Sequence, residues 1–322
     1  NLYAIKKIKL SYKSAQSLLY QVFAYTDKCK TIESINEYCN KYGFDKNEQE
    51  IIVYVYEGQN DIINNDYHIT NSFMEAIVLS KIYFNNNSLE LLESQLLEQI
   101  LDNNFRKSRI LFSTFINYLY SNIDLFDIDK FILYSGSILF SYGLRPFTDI
   151  DVDIGLAPNI STTKDYIEKI NYDIIDDKSA LFFTDSYVKS KDKLNLAKKK
   201  ITNKDSDKWR INFGKMAGLQ NIYEIIFNPK YHYYFLGMKF QLIDLHIILL
   251  NLRLKPAAIA DLLMINEKLN KKIKINNIPK YSIFTKKDNV KAVFLQDIQY
   301  WLIKKHKTIL SINKIDNLIQ FD

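Results

Sequence analysis

Three aspartates alternate with aliphatic residues in the stretch 148–154, and carboxylates at this spacing are suited to hold a divalent cation. Side chains two positions apart on a β-strand share a face, so Asp149, Asp151 and Asp153 would form one acidic row, each about 6–7 Å from the next. Carboxylates that close repel one another unless a cation compensates. Because hard oxygen ligands suit Mg²⁺, which binds one or two carboxylates together with substrate phosphates, the row predicts a metal and phosphate site.

The elements around this row favour a strand–turn–helix–strand unit. Residues 131–134 form an apolar run typical of a short buried strand, and the small residues Ser135-Gly136-Ser137 predict a turn after it. Residues 138–144 favour a helix of two turns that ends at the pair Arg145-Pro146. The acidic row then lies on a second strand, whose aliphatic residues are expected to face a core.

This order of elements resembles the DNA polymerase β-like nucleotidyltransferase superfamily, which includes poly(A) polymerases, CCA-adding enzymes and oligoadenylate synthases. Its signature is a Gly-Ser or Gly-Gly turn followed, after about ten residues, by an Asp-x-Asp pair. Here eleven residues separate Ser137 from Asp149. The resemblance implies that Asp149 and Asp151 bind Mg²⁺ or Mn²⁺ and act in catalysis. It also implies that Gly136 and Ser137 contact the phosphates of a nucleoside triphosphate.

A second register of the acidic row stays open. Choline-phosphotransferases of the LicD/fukutin type, remote relatives of the superfamily, carry an acidic run that ends in Asp-x-Asp-x-Gly, and residues 151–155 match that ending. The metal pair would then be Asp151 and Asp153 rather than Asp149 and Asp151. The segment 228–262 also resembles proteins of large DNA viruses, a likeness that carries no chemistry.

A third carboxylate is expected from a later strand beside the acidic strand, since the superfamily supplies one there. Residues 231–244 favour two strands that meet at Gly237, and Asp244 ends the second. Asp244 is therefore the candidate third metal ligand and catalytic residue, and an N-cap of the following helix is the other interpretation. Asp185 and Glu224 are further alternatives for this position.

Basic residues are candidates for contacts with phosphates. Arg145 could neutralise charge on the triphosphate or could be a plain turn residue. Lys239 could contact phosphates or could be an outward-facing strand lysine. The lysine-rich stretch 189–208 is either a solvated surface or an electrostatic track for a nucleic-acid backbone.

Composition indicates an ordinary globular protein. Of the 322 residues, 47% are hydrophobic and 25% charged, and the small number of Gly and Pro residues favours a largely helical chain. A net charge of +6 suits a polyanionic partner or reflects a coding bias toward lysine. The two cysteines predict free thiols in a reducing, cytoplasmic compartment. No apolar run reaches about 18 residues, so no membrane span is expected.

These patterns together predict an α+β fold in three parts. They are a helical N-terminal domain at 1–128, a mixed-sheet nucleotidyltransferase domain at 129–255 and a helical C-terminal domain at 256–322. Helices are expected at 14–25, 32–42, 47–56, 73–84, 89–101 (capped by Ser88), 109–121, 161–170, 245–252, 257–269 and 289–305, with another strand at 180–188.

The predicted activity is metal-dependent transfer of a nucleoside monophosphate from a nucleoside triphosphate, expected to be ATP, to the 3′ end of RNA. Transfer to a small molecule, sugar or protein is one alternative, and a non-catalytic binding subunit is the other. The sequence has no P-loop, no Gly-x-Gly-x-x-Gly fingerprint and no His-x-x-x-His pair, so it does not match those nucleotide or zinc motifs.

Overall fold

The computed structural model describes residues 2–24, 29–44, 47–56, 70, 73–122, 129, 131–147, 150–154, 209–213, 222–253, 255–275 and 290–319. The predicted helix at 161–170, the predicted strand at 180–188 and the lysine-rich stretch lie outside these ranges. In chain order the N-terminal elements are β1 (Leu2–Leu10), α1 (Tyr12–Phe23), α2 (Ile32–Lys41), β2 (Gln49–Tyr56), α3 (Phe73–Tyr83), α4 (Asn86–Ser94), α5 (Leu97–Leu101) and α6 (Arg106–Asn122). The central elements are β3 (Phe131–Leu133), α7 (Gly136–Ser141), β4 (Ile150–Ile154), β5 (Trp209–Phe213), α8 (Ile222–Phe227), β6 (His232–Phe235) and β7 (Met238–Gln241). The C-terminal elements are α9 (Ile243–Arg253), α10 (Pro256–Leu269), α11 (Val290–Trp301), a π-helical turn (Leu302–His306) and α12 (Ile312–Leu318).

A mixed sheet of five strands forms the centre of the fold, in the order β5-β4-β3-β7-β6. β3 is antiparallel to β4 and parallel to β7, while β4 is parallel to β5 and β6 is antiparallel to β7. The apolar run Phe131–Leu133 is a fully buried strand, as predicted, and it is the middle strand of this sheet. The combination of helices with this sheet confirms the α+β class.

β6 and β7 form the hairpin predicted at Gly237. Leu236 and Gly237 have φ angles of 48° and 75°, the left-handed pair that two-residue hairpin turns favour. Met238 and Phe240 are fully buried on one face of β7, and Lys239 lies on the other face. The hairpin therefore adds the side chains of Met238 and Phe240 to the core, and Lys239 is buried as well.

The N-terminal region is not wholly helical, contrary to the prediction. Residues 47–56, predicted as a helix, lie mostly in β2, which pairs antiparallel with β1. Exposure alternates along β2, so that Ile51 and Val53 are half-buried whereas Ile52 and Tyr54 are exposed. A period of two residues and a high content of β-branched and aromatic residues favour a strand here.

Most of the predicted helices are present with shifted ends. Helices α1, α2, α3, α6, α9, α10 and α11 occupy the segments expected for them. The segment 89–101 instead lies in two helices, α4 and α5, which are separated at Gln95 and Leu96. Ser88 is not the N-cap: Asn85 caps α4, and its side-chain oxygen accepts a hydrogen bond from the Ser88 backbone N–H at 2.8 Å.

One hydrophobic core extends through all three predicted parts of the chain. Its buried members include Leu91, Phe140, Phe240, Ile265 and Ile315. Cys29 and Cys39 also belong to it and are free thiols, as predicted. The C-terminal helices thus pack on the same core as the sheet, and the division at 128 and 255 stays a prediction.

A glycine after α7 is required by the packing around it. Gly143 has a φ of 76°, and a Cβ at this position would overlap the carbonyl oxygen of Leu96. We expect Gly143→Ala to lower the free energy of unfolding by about 2–3 kcal/mol, because left-handed strain and backbone overlap add. Gly43→Ala is the matched control, since Gly43 has a φ of 74° but no atom within 4 Å of its Cβ position. The control should cost about 1 kcal/mol, and equal losses in urea unfolding would contradict the packing explanation.

Candidate functional site

The turn between β3 and α7 has a strained backbone. Ser135 has a φ of 61° and a ψ of −128°, a region that residues other than glycine enter at a cost of about 1–3 kcal/mol. Ser137 is buried, and its hydroxyl donates to the carbonyl oxygen of Tyr134 at 2.7 Å. The hydroxyl proton is therefore used inside the turn, and contacts of Gly136 and Ser137 with phosphates stay a prediction.

The strand directions bring several candidate residues to one edge of the sheet. Because β3 is antiparallel to β4 and parallel to β7, the end of β3, the start of β4 and the end of β7 lie at the same edge. Gly136 follows β3, Asp151 is near the start of β4, and Asp244 comes just after β7. Asp149 lies outside the described residues, directly before β4 in the chain.

The backbone register of β4 places its acidic and aliphatic positions alternately opposite residues of β3. Val152 pairs with Leu133, which is fully buried in the main core. Asp153 pairs with Ile132, which is also fully buried and belongs to a second apolar cluster with Ile225, Ile226 and Leu245. The division of β4 into a core face and an acidic face stays a prediction.

β5 was not predicted, and it occupies the position next to β4. Arg210 of β5 pairs with Asp151, and Asn212 pairs with Asp153. The strand beside the acidic strand therefore has a basic residue and an amide residue where a third carboxylate was expected. The alternation of aromatic or aliphatic residues with polar ones in Trp209–Phe213 is the signal that could have revealed this strand.

Asp244 does not end a strand beside β4, and this prediction was wrong. It lies in the first turn of α9, and the preceding strand, β7, is separated from β4 by β3. Its side chain is 57% exposed and forms an ion pair with Lys271, with 3.1 Å between Oδ1 and Nζ. The Leu242 carbonyl oxygen accepts the hydrogen bonds of the Leu245 and His246 N–H groups, so Asp244 is not the N-cap either. Its catalytic role stays a prediction.

Lys239 is not an outward-facing lysine. Only 4% of the residue is exposed, and its ammonium group donates to the carbonyl oxygens of Asp129 at 2.6 Å and Ile226 at 2.8 Å. Burial lowers the pKa of Lys239 to about 8. Two of its three donors are thus used within the fold, which favours a structural role over the predicted contact with phosphates.

Arg145 lies against the turn and forms an ion pair with a C-terminal helix. A Cβ at Gly136 would be 3.5 Å from the Arg145 Nη2, an ordinary van der Waals distance, so the guanidinium lies directly beside the turn. The Arg145 Nε is 3.0 Å from Oδ1 of Asp261, a residue of α10. This ion pair, which the sequence did not predict, connects the turn to the C-terminal helices.

Asp261 is a buried carboxylate that pairs with three basic side chains. Its Oδ1 is 2.8 Å from the His306 Nε2, and its Oδ2 is 3.7 Å from the Lys305 Nζ. Burial opposes the negative charge, but Arg145, the hydrogen bond from His306 and the charge of Lys305 outweigh it and hold the pKa of Asp261 well below its ordinary value. We call Arg145, Asp261, Lys305 and His306 the Asp261 cluster. Sequence analysis missed it because no local pattern joins residues so far apart.

The described ranges contain neither a group of metal ligands nor a membrane-spanning helix. No three His, Cys, Asp or Glu side chains come together there as possible metal ligands. No helix in those ranges combines the length and the hydropathy needed to cross a bilayer. The described part of the chain does not include the side chains at 149–153, the side chain of Glu224 or the residue Asp185. The metal pair at Asp149 and Asp151 therefore stays a prediction.

Comparison with known proteins does not assign the chain to a family. No protein-family model, no curated protein and no solved structure matches it.

Proposed function

We propose that the chain is a metal-dependent nucleotidyltransferase that moves a nucleoside monophosphate from a nucleoside triphosphate to an acceptor hydroxyl. One observation carries the proposal: the strained turn of small residues after β3 and the start of the acidic strand β4 lie at the same edge of a mixed sheet. Small residues let a phosphate approach the backbone, and neighbouring carboxylates suit a divalent cation.

The donor set at this edge fits Mg²⁺ or Mn²⁺. Asp149 and Asp151 would hold the ion, and Asp153 would take the place of Asp149 in the other register. A cation bound there would stabilise charge on the transferring phosphoryl group. Asp244 fits less well as a third ligand, because its ion pair with Lys271 would have to open first.

We propose the 3′ end of RNA as the acceptor and ATP as the donor, so that the reaction would be template-independent extension. The net charge of +6 and the lysine-rich stretch 189–208 support a polyanionic acceptor. The exposed ring of Tyr300, with the Lys304 Nζ 5.3 Å from its centre, supports a single-stranded nucleic acid, which binds through aromatic and basic side chains.

A non-catalytic binding subunit is the second candidate, and a specific observation favours it. The strand positions beside Asp151 and Asp153 hold Arg210 and Asn212 rather than a carboxylate. A nucleotidyltransferase-like fold without its third carboxylate could bind nucleotides or RNA without transferring anything.

Incubation of the protein with α-labelled nucleoside triphosphates, Mg²⁺ or Mn²⁺ and an RNA primer tests these functions. We expect a ladder of extended primers that is strongest with ATP. A discrete labelled product on a small molecule, sugar or protein would contradict RNA as the acceptor. Absence of label on every acceptor, with labelled ATP still bound, would contradict the transferase and support the binding subunit.

A further inference from the structure

The Asp261 cluster holds more positive than negative charge. Among the described residues, Asp261 is the one carboxylate that pairs with Arg145 and Lys305. Both ring nitrogens of His306 face acceptors, the Asp261 Oδ1 at 2.8 Å and the Leu144 carbonyl oxygen at 3.3 Å. Arg145 and Lys305 thus place two cationic side chains against a single carboxylate. The cluster therefore has an excess of positive charge that an anion would offset.

The positive groups are the accessible part of the cluster. The side chains of His306 and Asp261 are 0% and 4% exposed, whereas those of Arg145 and Lys305 are 13% and 24% exposed. An anion that arrives from solvent would meet the two cations first. The carboxylate that would repel it lies beneath them and holds them in place.

Arg145 and Lys305 also have unused donors. The Arg145 Nε faces the Asp261 Oδ1 at 3.0 Å, whereas the bonds from its Nη1 to the Pro146 carbonyl oxygen and from its Nη2 to the Asp261 Oδ2 are both 3.4 Å long. The Lys305 Nζ, at 3.7 Å from Asp261, is beyond hydrogen-bond distance. A guanidinium has five N–H donors in a planar fork that matches the oxygens of a phosphate.

We propose that Arg145 and Lys305 form a phosphate-binding subsite beside the turn at Gly136, with Asp261 and His306 as positioning residues. The inference rests on the proposed function, because it assigns the triphosphate of the donor nucleotide to these two cations. A backbone phosphate of a nucleic acid has the same chemistry and is the other source. The C-terminal helices would then complete a site that begins at the turn.

Binding of inorganic tripolyphosphate to the full chain, measured by calorimetry without divalent cations, tests the subsite apart from any transfer. We expect Lys305→Met to weaken binding about tenfold, because a charge-assisted contact is lost. This variant leaves Asp261 paired with Arg145 and His306, so the fold is retained. Lys268→Met is the matched control, since it removes the same charge from an exposed position on α10. Equal weakening in both variants, or in neither, would overturn the subsite.

Trp301 provides a second, optical readout. The Lys305 Nζ is 5.0 Å from the centre of the indole ring, so a phosphate that moves Lys305 should change the emission of Trp301. Trp209→Phe leaves Trp301 as the single tryptophan of the chain. In this background tripolyphosphate should shift the emission, and Lys305→Met should abolish the shift. An emission spectrum that does not change at saturation would count against the subsite.

Three comparisons separate this inference from the proposed function. If tripolyphosphate binding depends on Lys305 but the protein has no transfer activity, the proposed subsite is supported and the proposed transferase activity is contradicted. If wild type and Lys305→Met transfer nucleotides with the same KM, the proposed subsite is contradicted and the proposed transferase activity is not. A single-stranded oligonucleotide with a 5′-hydroxyl, which has only diester phosphates, should not displace tripolyphosphate. Displacement would assign the subsite to a nucleic-acid backbone and overturn its assignment to the triphosphate.

Discussion

Replacement of both Asp149 and Asp151 by alanine is expected to abolish nucleotidyl transfer while the chain still folds. A divalent cation stabilises a transferring phosphoryl group by several kcal/mol, and a loss of about 4 kcal/mol corresponds to about a thousandfold in rate. The fold should persist, because removal of neighbouring like charges relieves repulsion. Single-turnover primer extension measures the rate, and circular dichroism checks the fold. A rate within about tenfold of wild type would refute the assignment.

Single substitutions along the same strand decide the register of the metal pair. If the pair is Asp149 and Asp151, Asp149→Ala should be inactive and Asp153→Ala should be active. The choline-phosphotransferase register reverses these two results. Asp151→Ala is inactive in either register, so activity in that variant would contradict both.

The unit around the acidic strand was predictable because each of its signals is local. β3 is an uninterrupted apolar run, the turn after it consists of small residues, and β4 alternates with a period of two. The hairpin at Gly237 was predictable for the same reason, since a glycine between two apolar runs indicates a turn. Each pattern is contained in about ten residues, within which backbone preferences decide the outcome.

The features that were missed depend on pairing across long stretches of sequence. β1 and β2 pair with each other although α1 and α2 lie between them in the chain, so neither strand has a hairpin signal. The position of Asp244 was wrong because strand order is a property of the whole sheet. β5 occupies the place beside β4 that had been expected for the strand before Asp244.

The Asp261 cluster shows which part of a site the sequence can indicate. An aspartate within the apolar helix α10 is itself a signal, because a carboxylate is rarely buried without partners. The identity of those partners is a different matter: Arg145 is 116 positions away along the chain, and His306 is 45 positions away. Only the packing of α10 and the π-helical turn against the turn at Gly136 brings them together.

Asp261→Asn is expected to lower the free energy of unfolding by about 3–5 kcal/mol, because it leaves buried basic groups without their anionic partner. The Arg145 Nε and the His306 Nε2 both lie within 3.0 Å of the carboxylate that is lost. Equilibrium unfolding in urea measures the effect. Asp316→Asn is the matched control, since Asp316 pairs with Lys291 near the surface and should cost about 1 kcal/mol or less. Similar losses in the two variants would contradict a buried, energetically important pair.

The difference in unfolding free energy between wild type and Asp261→Asn is expected to become smaller at low pH. Because the fold holds the pKa of Asp261 below its unfolded value of about 3.9, the native state binds fewer protons at this site than the unfolded state. The stabilisation by the ionised Asp261 carboxylate is therefore fully present above the unfolded pKa, and it is lost as the pH falls toward the folded pKa. The stability difference between wild type and Asp261→Asn should shrink progressively below about pH 4. If the difference in unfolding free energy stays constant or grows down to about pH 3, the ionised carboxylate does not stabilise the packing of α10 against the turn at Gly136.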